Sequence, residues 1–279
     1  MSQAVTRPDH SVEFGAQSRR DMLPVAEVWR HRGLLYFLTW RDIKVRYKQT
    51  LLGAGWAVFK PLIMMAIFTI VFGSRTGAET KSGYSLFVLC GLLPWLLFST
   101  AVATASNSVV ASERLVTKVY FPRIMLPLAS IGPSIVDFLI SCVLLGIALV
   151  FFSTSGFAWT IILAIIPVVL AILFAAAVGI ATAGMSVKYR DLRHVFPFII
   201  QVWMFATPAI YLLDATPDWN AWHVVLNPMA TYVSAFRAAV LGEVIPWSFL
   251  AVHGLATVVL LIVSSIYFRY VERSFADVI

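Results

Sequence analysis

The sequence predicts an all-α, polytopic membrane protein with six transmembrane helices, an N-terminal interfacial amphipathic helix and short re-entrant helices on the outer side. The 279 residues are 60% hydrophobic and only 13% charged, with a mean hydropathy of +0.85, whereas soluble domains carry roughly a quarter charged residues. Apolar runs of about 20 residues, the length that crosses a bilayer as a helix, recur along the chain. Lipid must therefore solvate much of the surface.

The N-terminal segment is predicted to approach the membrane in two steps. Residues 1–33 are assigned to a cytoplasmic tail and residues 34–279 to the transmembrane domain, and the polar, charged first thirty residues lack the apolar core of a signal peptide. An amphipathic helix then follows, because aromatic and aliphatic residues recur three or four positions apart: Tyr36, Trp40, Ile43, Tyr47 and Leu51. Basic residues occupy the rest of its circumference and are expected to face the lipid headgroups. We expect this helix to lie in the interface with its aromatic face toward lipid.

Six apolar runs are assigned as membrane spans. They cover about residues 51–72, 84–108, 126–152, 157–185, 195–213 and 247–268. Seventeen of the 21 Lys and Arg residues fall on the side of the two termini, three fall on the other side, and Lys60 falls within the first span. The positive-inside rule therefore places both termini in the cytoplasm.

The connection between the fifth and sixth spans differs from the other loops. From Asp214 to Pro246 it is too polar to span and too apolar for a free loop, and Asn227-Pro228 divides it. Its second piece, Met229 to Leu241, is predicted to be a short helix that ends at Gly242. Two arrangements are open: a pair of helices dipping into the outer leaflet as a gate around Asn227 and Pro228, or a pair lying flat on the outer surface.

Two charged residues lie inside predicted spans. Asp137 lies about 15 Å along the third span from Leu126, and Lys60 lies in the first span before Pro61. Charges at such depth are costly and mark functional candidates. We hypothesise that Lys60 and Asp137 pair, the alternative being that each faces the interface or a polar neighbour and only supports packing.

No motif for hydrolytic or transfer chemistry is evident. The five histidines are scattered without metal-ligand spacing, and no GxxxxGK[ST] phosphate loop occurs. The two cysteines, Cys90 and Cys142, lie in apolar runs and are expected to be free thiols. The sequence therefore predicts a non-catalytic chain without a metal site.

Several stretches together resemble the membrane subunits of ABC exporters for polysaccharides and polyol phosphates, most of all the O-antigen permeases of the Wzm type. The resemblance extends from about Leu34 to Ile279 and is carried by RDIKVRYKQTLLGAGWAVFKPL, KVYFPRIMLPLA, KYRDLRHVFPFIIQVWMFATPAIY, LNPM and VERSFADVI. Lys60 departs from the family pattern, in which an apolar residue, commonly Leu, precedes the proline.

The resemblance implies a permease in a bacterial inner membrane, with periplasmic re-entrant helices before the last span. Two copies would form the channel, and two separate ATPase subunits would bind beneath it. ATP and Mg would be used by that partner, with no cofactor in this chain. By analogy the ATPase would contact the segment from Arg41 to Gln49, the loop from Glu113 to Arg123, and the tail near Phe275. The candidate contact residues are Arg41, Asp42, Arg46, Tyr47, Glu113, Arg114 and Lys118.

The resemblance leads us to expect ATP-driven export of a lipid-linked polysaccharide of the O-antigen type. Teichoic acid and capsular polysaccharide are alternative cargoes within the same class. An ion-coupled secondary transporter with Asp137 as its ion site is a second class. A membrane transferase acting on lipid-linked sugars is a third, although the outer face offers no recognisable set of carboxylates and histidines.

Overall fold

The chain is helical throughout the part that the structure describes. The computed structural model describes residues 25–48, 50, 52–73, 81–118, 121–152, 159–189, 191–210, 226–272 and 275, and no strand occurs among them. The helices are α1 (Val25–Arg30), α2 (Arg32–Tyr47), α3 (Gly55–Phe72), α4 (Lys81–Ala111), α5 (Glu113–Lys118), α6 (Met125–Phe152), a 3₁₀ turn (Trp159–Ala164) leading into α7 (Ile165–Lys188), α8 (Leu192–Phe205), α9 (Pro228–Leu241) and α10 (Trp247–Glu272).

Among the described residues, five helical segments are long and apolar enough to cross a membrane. They are Gly55–Phe72, Gly83–Ala111, Met125–Phe151, Trp159–Lys188 and Trp247–Glu272, which correspond to the first four predicted spans and the sixth. The predicted fifth span is the shorter helix α8, whose 14 residues rise about 21 Å, less than the roughly 30 Å hydrocarbon core. Turns continue it through residues 206–210, and residues 211–213 lie outside the described part.

Helix α4 is the centre of the bundle. In its most apolar window 72% of the residues are buried, against 11% in α3. It packs against α6 and α7 most extensively, and also against α3, α8 and α9. Small residues permit close contacts here: a Cβ added at Gly179 of α7 would lie 2.6 Å from the Cβ of Ala105. The core is therefore built around α4, while α3 lies at the periphery.

Helix α2 packs along α6, so its predicted amphipathic pattern is only partly correct. Tyr36 and Trp40 are exposed as expected, but Tyr47 is half-buried against α6. Thr39 meets Gly132, where an added Cβ would overlap the Thr39 methyl group. Between this contact and the Tyr47–Asp137 hydrogen bond, α2 advances about 12 Å and α6 about 7.5 Å in the same sense. Helix α2 therefore runs obliquely along α6.

Helix α9 confirms the predicted helix at Met229 to Leu241. The side chain of Asn227 caps it by accepting a hydrogen bond from the Met229 amide, Pro228 occupies the first turn, and Gly242 ends it with φ of 78°. Eleven of its 14 residues are buried, against α4, α7, α10 and the 3₁₀ turn. This burial shows that α9 packs within the helix bundle; whether it dips into the outer leaflet or lies parallel to the membrane surface stays a prediction. The preceding piece lies almost wholly outside the described residues.

Candidate functional site

A polar cleft lies where α2 ends, α3 begins, and α4 and α6 pass behind them. It has a volume of about 270 Å³. Four of the residues that the sequence singled out line it together: Arg46, Tyr47, Lys60 and Asp137. The other lining residues are Gly53, Trp56, Ala57, Pro61, Leu93, Leu96, Leu97, Thr100, Ser134, Phe138 and Ser141. The folded chain thus gathers residues from four helices into one site.

Asp137 is held by the end of α2. Arg46 Nη2 lies 3.0 Å from Asp137 Oδ2, and the Tyr47 hydroxyl donates to Asp137 Oδ1 at 2.6 Å. Arg46 Nη1 also donates to Ser134 Oγ at 3.5 Å. Each oxygen of the carboxylate therefore accepts from a different residue, which locks two successive residues of α2 onto one turn of α6.

The hypothesis of a Lys60–Asp137 ion pair is wrong in this structure. Lys60 lines the same cleft, but the partner of Asp137 is Arg46. The physical reason is that α2 lies directly along α6, so a guanidinium with several donors reaches both Asp137 and Ser134. Arg46 was also placed on the headgroup-facing side of α2, and the structure turns it toward α6 instead.

Asp137 is less deep than its distance along the helix suggests. It lies about 18 Å from Met125 at the start of α6, yet no residue between 125 and 138 is exposed. The exposed apolar face of α6 begins at Leu139, 58% exposed, and continues at Val143. Because other helices cover the first turns of α6, Asp137 lies at the edge of the exposed part of this helix.

Tyr47 acts as a permanent donor in this arrangement. Burial raises the pKa of its hydroxyl, and so do the hydrogen bond to Asp137 and the charge of that carboxylate. The phenol therefore stays protonated at neutral pH and can only donate toward the carboxylate.

A second hydroxyl joins α6 to α3. Ser141 Oγ lies 2.8 Å from the carbonyl oxygen of Ala57 and 2.8 Å from that of Asp137. The carbonyl of Ala57 is near the start of α3, where Pro61 has no N–H to donate to it. Ser141 compensates for that missing donor, so the proline is accommodated in α3.

A second polar cluster surrounds Asn227, the predicted gate residue. Its Nδ2 donates to the Ala206 carbonyl at 3.2 Å and to Thr207 Oγ1 at 2.9 Å, while its Oδ1 accepts from Trp203 Nε1 at 3.1 Å. Pro228 follows it as the first residue of α9. Asn227 therefore ties the start of α9 to the end of α8.

Arg237, one of the three cations that the sequence places on the outer side, strengthens the same junction. It is 6% exposed, donates to the carbonyls of Pro208 and Ala209 at 2.9 and 3.1 Å, and lies 3.5 Å above the Phe87 ring. Tyr84 Oη donates to the next carbonyl, that of Ile210. The signal that could have identified Arg237 is its position as the one cation in the apolar helix Met229–Leu241.

The residues predicted to face an ATPase divide into two groups. Glu113 and Arg114 are exposed on α5, and Arg41 and Asp42 form a neighbouring ion pair at 2.8 Å, with side chains 34% and 24% exposed. Arg46 and Tyr47 instead engage Asp137, and the side chain of Lys118 lies outside the described part. Contact of any of them with an ATPase stays a prediction.

The C-terminal tail is anchored beside α5. Arg123 donates from its backbone amide to Glu272 Oε1 at 3.2 Å and from Nη1 to the Glu272 carbonyl at 3.0 Å. Its guanidinium also lies 5.7 Å from the centre of the Phe275 ring, and Phe275 is fully buried. Phe275 therefore packs beside Arg123 within the chain, and contact of the tail with an ATPase stays a prediction.

Residues 33–241 match the model of the ABC-2 type transporter family. The chain belongs to this family. Similar proteins include the O-antigen export system permease protein RfbA of Myxococcus xanthus, 31% identical over 219 residues, which are 77% of this chain and 82% of that protein. The RfbA of Klebsiella pneumoniae is 25% identical over 88% of this chain and 95% of its own. The polysialic acid transport protein KpsM of Escherichia coli is 22% identical over 78% and 86%.

The match places both polar clusters inside the ABC-2 domain. It begins at Gly33, in the first turn of α2, and ends at Leu241, the last residue of α9. The oblique helix α2, the Asp137 cleft and the Asn227 junction all fall within it, while α10 follows it. The resemblance found from the sequence is therefore confirmed at the level of the family.

Proposed function

We propose that this ABC-2 chain is the membrane subunit of an ATP-driven exporter for a lipid-linked polysaccharide of the O-antigen type. It would work in a bacterial inner membrane as a homodimer with two copies of a separate ATPase, and both termini would be cytoplasmic. The names of the two RfbA relatives support the cargo class. The absence of a phosphate-loop motif from the sequence supports a separate ATPase.

The attachment of α2 to α6 is the observation that carries the mechanism. An ATPase that displaces α2 would also displace α6, because Asp137 bonds both Arg46 and Tyr47. The close contact of Thr39 with Gly132 adds a second fixed point. Helix α6 packs extensively on α4, so the displacement would reach the core of the permease. Opening would then separate two copies enough for a polymer to pass.

A capsular polysaccharide is the second cargo that an observation favours, because KpsM is named for polysialic acid transport. The RfbA relative from Myxococcus xanthus has the higher identity, so we place O-antigen first. An ion-coupled transporter is disfavoured, because both oxygens of Asp137 already accept from protein donors.

The test is reconstitution of the chain with its ATPase in proteoliposomes. ATP should drive export of lipid-linked polysaccharide without a proton gradient, and the chain should co-purify as a dimer with two ATPase copies. A lone monomer that transports by itself would contradict the proposal. Presenting an O-antigen and a capsular polymer in parallel assigns the cargo.

Arg41→Glu tests whether the end of α2 receives the ATPase. This side chain is partly exposed and is remote from Asp137, so its reversal should leave insertion and folding intact while lowering ATP-coupled export several-fold. Arg32→Glu is the matched control, because Arg32 is exposed on the same helix but lies outside the segment from Arg41 to Gln49. Unchanged export in Arg41→Glu would reduce α2 to a membrane anchor.

A further inference from the structure

The cleft at the end of α2 carries one surplus positive charge. Arg46, Lys60 and Asp137 line it, and all its other lining residues are neutral. The carboxylate is already engaged by Arg46 and by the Tyr47 hydroxyl. Within the part of the chain that the structure describes, Lys60 forms no ion pair. The site is therefore complementary to an anion.

Lys60 is also accessible at the surface of the single chain. It lies in the second turn of α3, about 7.5 Å from Gly55, and its side chain is exposed. Trp56, one turn earlier, is 50% exposed and belongs to a residue type that favours the membrane interface. The long stem of a lysine can carry its ammonium back toward that interface. A ligand could thus enter the cleft from the bilayer.

The position of the cleft along α6 also indicates that it lies near the membrane interface. The exposed apolar face of α6 starts at Leu139, two residues beyond Asp137. The cleft therefore lies at the boundary between the part of α6 that is covered by protein and the part that is exposed. Headgroup regions add roughly 5–7 Å to each side of the hydrocarbon core, and their phosphate esters are the anions found at that boundary.

We propose that this cleft binds the phosphate group of a membrane lipid. Lys60 is the principal cation, and Arg46, held in place by Asp137, is the second. Trp56 covers the glycerol and upper acyl region. The proposal stands on the cleft alone, so it holds or fails independently of the proposed export function.

The test is native mass spectrometry of the full-length protein in detergent, with added lipid. Phosphatidylglycerol should be retained in preference to an uncharged diacylglycerol. Lys60→Leu should weaken phosphatidylglycerol retention about fivefold, as expected for one basic residue near an anionic headgroup. Lys60→Arg should preserve it. Lys44→Leu, which removes an exposed cation of α2 outside the cleft, is the matched control and should change retention less than twofold.

Two results of the lipid and variant comparisons would overturn the proposal. One is equal retention of the charged and uncharged lipids by the wild-type protein. The other is an equal loss in Lys60→Leu and Lys44→Leu, which would indicate diffuse attraction to a basic surface. The lipid should also be retained in the presence of inorganic phosphate, and its displacement by that ion would equally count against a lipid ligand. Circular dichroism spectra confirm that each variant is folded.

Discussion

Breaking the Arg46–Asp137 pair should show that α2 is fastened to α6 by charge. Asp137→Asn keeps the size of the side chain and removes its charge, so Arg46 loses its ion-pair partner. Exposed ion pairs contribute about 0.2–1 kcal/mol, and removing one partner of a buried pair costs about 3–5 kcal/mol. The side chains of Arg46 and Asp137 are 29% and 23% exposed, so we expect an intermediate loss of about 2 kcal/mol.

A double-mutant cycle separates the pair from other effects of each substitution. Arg46→Met keeps the aliphatic stem and removes the guanidinium, and its coupling with Asp137→Asn should be about 1–2 kcal/mol. Tyr47→Phe should couple to Asp137→Asn by about 1 kcal/mol or slightly more, since a hydrogen bond to a charged group contributes about 1.5–3 kcal/mol and an amide still accepts part of it. The free energy of unfolding is measured in mixed micelles with increasing dodecyl sulfate, followed by circular dichroism.

The same cycle with Lys60→Met is the control. Lys60 lines the cleft but forms no ion pair with Asp137, so its coupling should stay below about 0.5 kcal/mol. A coupling of Lys60 that exceeds the coupling of Arg46 would refute the reasoning, because it would restore the pairing first proposed from the sequence.

Substitutions at Gly132, Gly91 and Asn227, with a compensating change at Thr39, test the close contacts and the Asn227 cluster. Gly132→Ala should lower the unfolding free energy by about 1–3 kcal/mol, and Thr39→Ala in the same chain should recover most of the loss, because the facing Cβ atoms would then lie 3.5 Å apart. Gly91→Ala should cost at least as much without such a rescue, since its Cβ would overlap the backbone carbonyl of Ala209. Asn227→Ala should cost about 2–3 kcal/mol through the lost cap and the donors and acceptors left unpaired. Unfolding in mixed micelles measures the free-energy change of each variant. Additive effects of Gly132→Ala and Thr39→Ala, or an unchanged unfolding free energy in Asn227→Ala, would contradict these assignments.

The helices were predictable where the signal is local. The bounds of α9 follow from Asn227, Pro228 and Gly242, whose capping preferences act within a few residues. The long spans follow from uninterrupted apolar sequence, which has no other solvent than lipid. In both cases the physical cause lies within the segment itself, so one sequence suffices to predict it.

The partner of Asp137 was not predictable for the opposite reason. Tyr47 and Asp137 are 90 residues apart, and a helical wheel shows which residues of α2 share a face but not which helix covers that face. Placing every cation of α2 toward the headgroups assumed only lipid and water as neighbours. Helix α6 is a third neighbour, and it turns Arg46 inward.

The end of α8 was not predictable from the sequence for the same reason. An apolar run predicted a span through residue 213, whereas the helix ends at Phe205 and turns follow. The carbonyls of Pro208 and Ala209 are taken by Arg237, and that of Ile210 by Tyr84. Donors from two other helices replace the intrahelical bonds, which allows an irregular backbone to lie in the protein interior. Hydropathy does not record such donors.

The two polar clusters share α4, and this determines which parts of the permease can move. Leu93, Leu96 and Thr100 of α4 line the cleft, while Tyr84 and Gly91 contact the end of α8. With 72% of its apolar window buried, against 11% for α3, α4 loses far more packing than α3 when displaced. In the proposed dimer, a path between two copies would therefore begin to open by movement of α2 and α3, and α6 would pass that movement on to α4. The Arg46–Asp137 pair lies on that moving boundary, so its strength should set how far a push on α2 reaches the core.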